Sequence, residues 1–277
     1  MVNEQKYSID EQFSIQYMYQ TGYSTMVRPH THSTYELFYV LNGGKVFFIN
    51  ETVYIAQKGD LILIQPNDIH RTNSSDELKC ERILLNVSDS FIDKELTRFH
   101  FRFSSFSRSL FRFRLNKQAI IEELLQKMLE ECQTKHIGYE TYLRALLMEL
   151  LILMHRFDQQ VSKQLEPPTH PLYQKISEMA RYMRKHYQSK LTLAEIAQRF
   201  FISPSYLSRS FKLITGFQFK DYLQIIRVQE AKRLLRETDK PIGRIAEEVG
   251  FEYVANFNVT FKKITGITPR DYRKRKQ

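Results

Sequence analysis

Cysteine is nearly absent: Cys80 and Cys132 are the only two in 277 residues, too few for a disulfide framework or a cysteine-based zinc site. No apolar run is long enough for a membrane span, which needs about 20 nearly uninterrupted residues. The richest stretch, Tyr142 to Phe157, is broken by Arg144, Glu149 and His155. No glycine-rich phosphate-cradling loop appears, and no Ser-His-Asp or Cys-His set can be assigned from spacing. Residues 1–12 mix Asn, Glu, Lys and Asp without an apolar core segment, so no secretory signal is expected. Hydrophobic content of 42% and charged content of 26% sit near globular averages and exclude a disordered or fibrous chain. The expectation is a soluble, cytoplasmic protein with no membrane partner.

What is present is an uneven charge. The formal net charge is +10, yet residues 171–277 carry 22 Lys+Arg against 10 Asp+Glu, while residues 1–170 carry 19 against 21. The whole excess lies in the C-terminal third, which points to a polyanion partner for that end.

Patterning divides the chain at the same place. Residues 158–171 hold three prolines and few large apolar side chains, the composition of a semi-extended linker. Upstream, residues 13–87 read as short strands: Tyr35–Leu41, Lys45–Ile49, Thr52–Ile55, Leu61–Ile64 and Glu81–Val87, separated by turns such as Asn42-Gly43-Gly44 and Lys58-Gly59-Asp60. Strands at this spacing predict a β-sandwich or barrel. Residues 116–157 switch to helical period, with Ile121, Leu124, Leu125, Met128, Leu129 and Cys132 on one stripe. The second helix there, about 139–157, is apolar around most of its circumference, which predicts burial either inside its own domain or, the favoured reading, against another subunit as a dimer contact. The aromatic–basic stretches Arg98–Phe103 and Phe111–Arg114 suit a nucleic-acid or anionic-ligand surface or, the favoured reading, a half-buried strand or loop over a pocket.

Downstream of the linker the chain is helical and repeats itself. Ile196-Ala197 recurs as Ile245-Ala246 at an offset of 49, and Phe211-Lys212, Ile214-Thr215-Gly216 and Lys220-Asp221-Tyr222 recur near Phe261, Ile264 and Arg270 at an offset of 50. The second copy therefore has one extra residue in its turn. In the first copy, Thr192-Leu-Ala-Glu195 is a capping box, and Ser203 followed by Pro204 suits a helix start. The helix so opened ends at Gly216. Two short helices joined by a tight turn describe a helix-turn-helix. Pro241, the Gly250 turn and a helix over about 255–265 repeat the plan, with a helix over about 222–235 between the copies.

Residues 172–276 resemble the DNA-binding domain of the AraC/XylS family of bacterial transcription regulators. The resemblance is carried by Leu193-Ala-Glu-Ile-Ala197, Ser203-Pro-Ser-Tyr-Leu-Ser-Arg-Ser-Phe-Lys212, Ile245-Ala-Glu-Glu-Val-Gly-Phe251 and Phe261-Lys-Lys-Ile-Thr-Gly-Ile-Thr-Pro-Arg-Asp-Tyr-Arg273. It implies two helix-turn-helix units entering neighbouring major grooves of double-stranded DNA. Helix geometry nominates Ser205, Tyr206, Ser208 and Arg209 in the first unit, with Arg209 foremost because Arg to guanine is the commonest specific contact; a phosphate clamp is its other use. The second unit departs from the family pattern: Val259 stands where Arg is common, beside Asn256 and Asn258. That suits an A/T-leaning subsite, or a unit that mostly grips phosphate. Lys212, Lys262, Lys263 and the tail Arg273–Lys276 suit backbone contacts, which position without specifying.

His30, His32, Glu36 and His70 form a metal-like set. His-x-His on a strand puts both rings on one face, and Glu36 shares it if the strand is unbroken. The string His30-x-His32-x-x-x-Glu36, six residues before Gly43, resembles the first motif of the cupin superfamily, with Ser24 in place of its leading Gly; Gly59 and Pro66-Asn-Asp-Ile-His70 fit the second more loosely. Three uses are open: a divalent metal site, contacts to a small effector, or a structural polar cluster. The expected fold is α+β in two domains: a cupin-type barrel with a helical hairpin over 1–157, then an all-α domain with two helix-turn-helix units over 172–277. The expected function is a DNA-binding regulator, more an activator than a repressor, answering to a small effector such as a carbohydrate, acting as a homodimer with RNA polymerase. The competing readings are a metal-dependent cupin enzyme fused to a DNA-binding domain and a ligand-independent DNA binder.

Overall fold

The computed structural model describes residues 2–23, 32–75, 77–91, 106–160 and 170–274. It has two compact units, Met1–Thr169 and His170–Gln277. The first holds strands β1 (Val2–Ile9), β2 (Phe13–Thr21), β3 (Tyr35–Ile49), β4 (Thr52–Gln57), β5 (Asp60–Ile64), β6 (His70–Ser74), β7 (Lys79–Val87) and β8 (Leu110–Arg112). They pair in the order β1-β2-β7-β3-β5-β8, with β4 and β6 on the distal half of β3. Strand β1 lies before the stretch 13–87 that read as strands in the sequence; it pairs with β2 at the end of the sheet.

One difference from the sequence reading organises the whole unit. Asn42-Gly43-Gly44 is not a turn between two strands: β3 runs through it for 15 residues. Its register against β7 shifts between Val40 and Asn42, the mark of a bulge. Before the shift, Phe38 and Val40 face one cluster and Leu37 and Tyr39 the other; after it, Phe47 and Ile49 join Phe38 and Val40. The inward parity changes from even to odd, as one inserted residue requires. Gly43 makes the bend possible. Its φ is +75°, and a Cβ there would lie 1.9 Å from the Lys79 carbonyl oxygen.

The interior cluster between the two halves of β3 contains Phe38, Val40, Phe47, Ile49, Ala56, Ile62, Ile64 and Cys80. The outer face of the sheet meets helices α1 (Leu115–Thr134) and α2 (Tyr139–Gln160) in a larger core. Leu143, Leu146, Leu147, Leu150, Leu151 and Met154 of α2 are all buried there. Packing within the unit thus buries most of the apolar circumference, while Tyr142 and Ile152 of the same helix stay exposed. Helix α2 also continues through Asp158 to Gln160, and Pro171 opens the next helix, so both ends of the stretch read as linker are helical. Phe111 and Phe113 are buried and Arg112 pairs with Asp60 at 2.8 Å, as expected of a half-buried strand; residues 98–103 lie outside the described residues.

The second unit is helical throughout its described residues: α3 (Pro171–Lys185), α4 (Leu193–Arg199), α5 (Pro204–Thr215), α6 (Phe219–Glu237), α7 (Ile242–Glu248), α8 (Val254–Thr265) and α9 (Pro269–Lys274). Among the described residues no helix is long and apolar enough to cross a membrane.

Gly43→Ala is expected to destabilise the barrel unit by more than the roughly 1–2 kcal/mol that a left-handed conformation costs a side chain, because backbone must also move. Gly138→Ala, at φ +84° with nothing within 4 Å of its Cβ position, should cost only that conformational part. Thermal unfolding of the two variants measures the difference.

Candidate functional site

The two helix-turn-helix copies are built alike. Thr192 and Glu195 satisfy each other's backbone N–H groups at the start of α4, and the Ser203 hydroxyl accepts from the Tyr206 N–H at the start of α5. Helices α5 and α8 each have 12 residues and end on a glycine at φ +81°. The turn before α8 holds the extra residue, and that helix starts at Tyr253 without a side-chain cap. Inward positions match: Leu207, Ser210 and Phe211 are buried on α5, Phe257, Thr260 and Phe261 on α8. Every position nominated on α5 and α8 lies on their uncovered faces, whereas Arg273 of the nominated tail is half-buried and donates from Nη2 to the Lys240 carbonyl, and residues 275 and 276 lie outside the described residues. Ser205, Tyr206, Ser208, Arg209 and Lys212 are exposed on α5, and Asn256, Asn258, Val259, Lys262 and Lys263 on α8. Arg209 and Val259 are counterparts; Val259 is 71% exposed.

Sequence reasoning missed the side chain that fixes the second copy to the rest. Arg227 of α6 donates from Nε to the Tyr187 carbonyl at 2.8 Å and from Nη2 to the Ser189 carbonyl at 2.9 Å, and lies over the Phe251 ring. Burial pushes its pKa down. Gly250 passes directly beside this clasp: at φ +88°, a Cβ would stand 2.7 Å from the Gln188 carbonyl oxygen. An isolated Arg in an amphipathic helix gives no sign in sequence of such a role.

The histidine site forms where the two ends of β3 meet. Glu36 and Ile49 are 13 residues apart on one strand, about 40 Å if it were straight. Yet His70, paired with Ile49, puts Nε2 3.7 Å from Glu36 Oε2. The bend at Gly43 brings them together. His32 Nε2 lies 2.8 Å from the same oxygen. His32 is not on the strand, as its spacing suggested, but in the turn before it, held by Nδ1 against the Thr34 carbonyl at 2.7 Å. His70 Nδ1 is held likewise by the Asp68 carbonyl at 3.1 Å. His70 and Glu36 are buried. The Glu36 hydrogen bond raises the His32 pKa against the opposing effect of burial. His30 lies outside the described residues. The donor set fits a divalent metal: both Nδ1 atoms face carbonyls, as in metal-ligating histidines, and ligand atoms of His32, Glu36 and His70 lie within 4.8 Å of one another. The same groups suit a hydroxylated ligand.

A chain of hydrogen bonds leads away from this site. The Asn67 N–H donates to the His32 carbonyl, Asp68 Oδ2 accepts from the Gln65 N–H, and Gln65 Nε2 donates to the Phe106 carbonyl at 3.5 Å. The next two residues, Ser107 and Arg108, grip Asp158 in the last turn of α2: Ser107 N–H at 3.0 Å, its hydroxyl at 3.0 Å and Arg108 Nε at 2.5 Å.

These two modules define a transcription regulator with a ligand-binding domain and a helix-turn-helix DNA-binding domain. The chain belongs to the AraC family: the model of the AraC-like ligand binding domain matches residues 14–151, and that of a helix-turn-helix domain residues 196–275. It is 26% identical over 257 residues to the HTH-type transcriptional regulator YisR of Bacillus subtilis, covering 87% of this chain and 86% of that protein. It is 23% identical over 248 residues to the HTH-type transcriptional activator RhaR of Mannheimia succiniciproducens, covering 89% and 87%. Among solved structures, the C-terminal domain of AraT, a response regulator from Geobacillus stearothermophilus, is 36% identical, with a TM-score of 0.37, 38% of this chain and 88% of that one.

Burial acts to raise the Asp158 pKa, but the Ser107 N–H and hydroxyl and the Arg108 guanidinium outweigh it and hold the carboxyl below its ordinary value. Its stabilising contribution is therefore present above the unfolded carboxyl pKa of about 3.9 and is lost as pH falls through the lower folded value. Asp158→Asn should cost about 1.5–3 kcal/mol at neutral pH, the range for a hydrogen bond to a charged group. The difference from wild type should close in acid. Thermal melts of both proteins at pH 7 and pH 3 test it.

Proposed function

We propose that the protein is an effector-controlled transcription activator that reads DNA with α5 and α8 and senses a small hydroxylated molecule, a sugar in the first instance, at His32, Glu36, His70 and the neighbouring His30. The observation that carries the reading is the matched pair of 12-residue helices, whose outward positions are exposed while their inward ones are buried. Arg209 is assigned to a guanine edge. Asn256, Asn258 and Val259 suit adenine and thymine methyl groups, with Ser205, Tyr206 and Ser208 beside Arg209, and Lys212, Lys262 and Lys263 serving phosphates. In this reading the protein works in the cytoplasm as a homodimer that engages RNA polymerase, and regulation rather than turnover is its task. Ligand in the barrel shifts the population of DNA-competent dimers by its differential affinity for the two states.

Selection from a random duplex library at near-physiological salt should recover a site with two preferred blocks one helical turn apart. Arg209→Ala should then cost about 1–3 kcal/mol and relax preference at one position. If affinity and preference both survive, the assignment of Arg209 to a base is wrong.

For the barrel, a panel of neutral sugars should contain a compound that changes DNA affinity, and Glu36→Gln should abolish that response while leaving effector-free DNA binding unchanged. Stoichiometric metal in purified protein, lost in Glu36→Gln, together with indifference to every sugar, would favour the metal use of the same residues.

A further inference from the structure

Between the two copies runs an open groove of about 950 Å³. One wall is the 188–193 segment with the first half of α6; the other is the end of α7, the turn after it and α8. The walls differ in charge. Lys190, Lys220 and Arg227 stand on the first, Glu247 and Glu252 on the second. Arg227 is committed to its two carbonyls, and Glu247 is paired with Arg244 at 2.9 Å. That leaves Lys190 and Lys220, both exposed, as the cations this groove offers a partner. The second wall also presents Asn256 and Val259, two of the side chains assigned above to base edges.

A polyanion whose charges follow one wall while its base edges face the other is a nucleic-acid strand. We propose that this groove extends the DNA contact surface of α8 beyond its reading face, with Lys190 and Lys220 holding phosphates of the strand that α8 reads. The inference rests on the DNA-reading assignment of α8, and extends it to two lysines outside either reading helix. Lysine suits the task, being a compact point charge on a flexible stem that grips phosphate without demanding one base. The groove thus ties backbone grip and base contact on α8 to the same few nucleotides.

The test uses the full-length protein with Lys190→Gln, Lys220→Gln and the double variant, on the selected site and on a random duplex, across a salt series. Lys127→Gln, an exposed lysine of the barrel unit paired with Glu123, sets the background. Each groove variant should weaken both duplexes by a similar factor, about three- to tenfold, and reduce the slope of log affinity against log salt by about 0.9. Base preference should not move. Unchanged thermal unfolding confirms that exposed lysines were removed without damage. A salt slope equal to that of Lys127→Gln in both single variants and in the double would overturn the proposal, and so would a change confined to base preference. If the wild type shows no salt-dependent DNA binding, the reading assignment itself falls, and this one with it. A wild type that binds while the groove variants match it removes the groove alone.

Discussion

The barrel depends on the bend in β3. A straight strand of 15 residues would place its ends far apart and leave an open sheet with two exposed faces. The inserted residue at Leu41 and the left-handed Gly43 fold the strand over, so that one half pairs with β5 and β7 and the other with β4 and β6. Three things follow from that one event. The inward-facing parity switches, so apolar residues of both halves meet in one interior. The outward face of the first half becomes free to take the helical hairpin. And Glu36, near one end of β3, meets His70, whose strand pairs with the other end.

The helical unit solves a different problem, which is holding two small motifs in fixed relation with little core. Each motif buries only a few large side chains of its own. Helix α6 supplies the frame, with Tyr222, Leu223 and Ile226 buried early in its length and Val228, Ala231 and Leu235 later, where they join Phe257 and Phe261. Arg227 adds a polar tie at the midpoint, which apolar packing alone would leave free to slide. Its guanidinium satisfies two carbonyls at the end of the α3 segment while its face rests on Phe251. The close passage of Gly250 past the Tyr187 and Gln188 carbonyls explains why position 250 carries no side chain.

Much of this was legible in the sequence because it is local. The Thr192–Glu195 box, Ser203-Pro204 and the glycines at 216 and 266 act over three or four residues, so the helices of the second unit were readable almost to their ends. The 49- and 50-residue offsets located the extra turn residue before any coordinates. What was not legible depends on distant partners. Asn42-Gly43-Gly44 has turn composition, and only the neighbouring Lys79 backbone shows that the same glycine serves a bulge. His32 was placed on a strand by spacing, whereas the Thr34 carbonyl holds it in a turn. Asp158 looked like linker because its neighbours are polar, while its partners lie 50 residues earlier. The apolar girth of α2 left burial within the domain and a subunit contact both open, because the sequence does not show the sheet that covers most of it.

The equal length and equal glycine stops of α5 and α8 have a bearing on how such a protein changes allegiance. Because the locked positions of the two helices carry bulky apolar residues at the same steps, and the outward positions carry none of the core, the outward side chains behave as interchangeable cartridges in a common holder. Duplication supplies two of them. One can drift in its preference while the other keeps the molecule on its existing sites, so a change of target need never pass through a protein that recognises nothing. The present pair, Arg209 in one holder and Val259 in the other, shows how far the outward positions differ where the inward ones match.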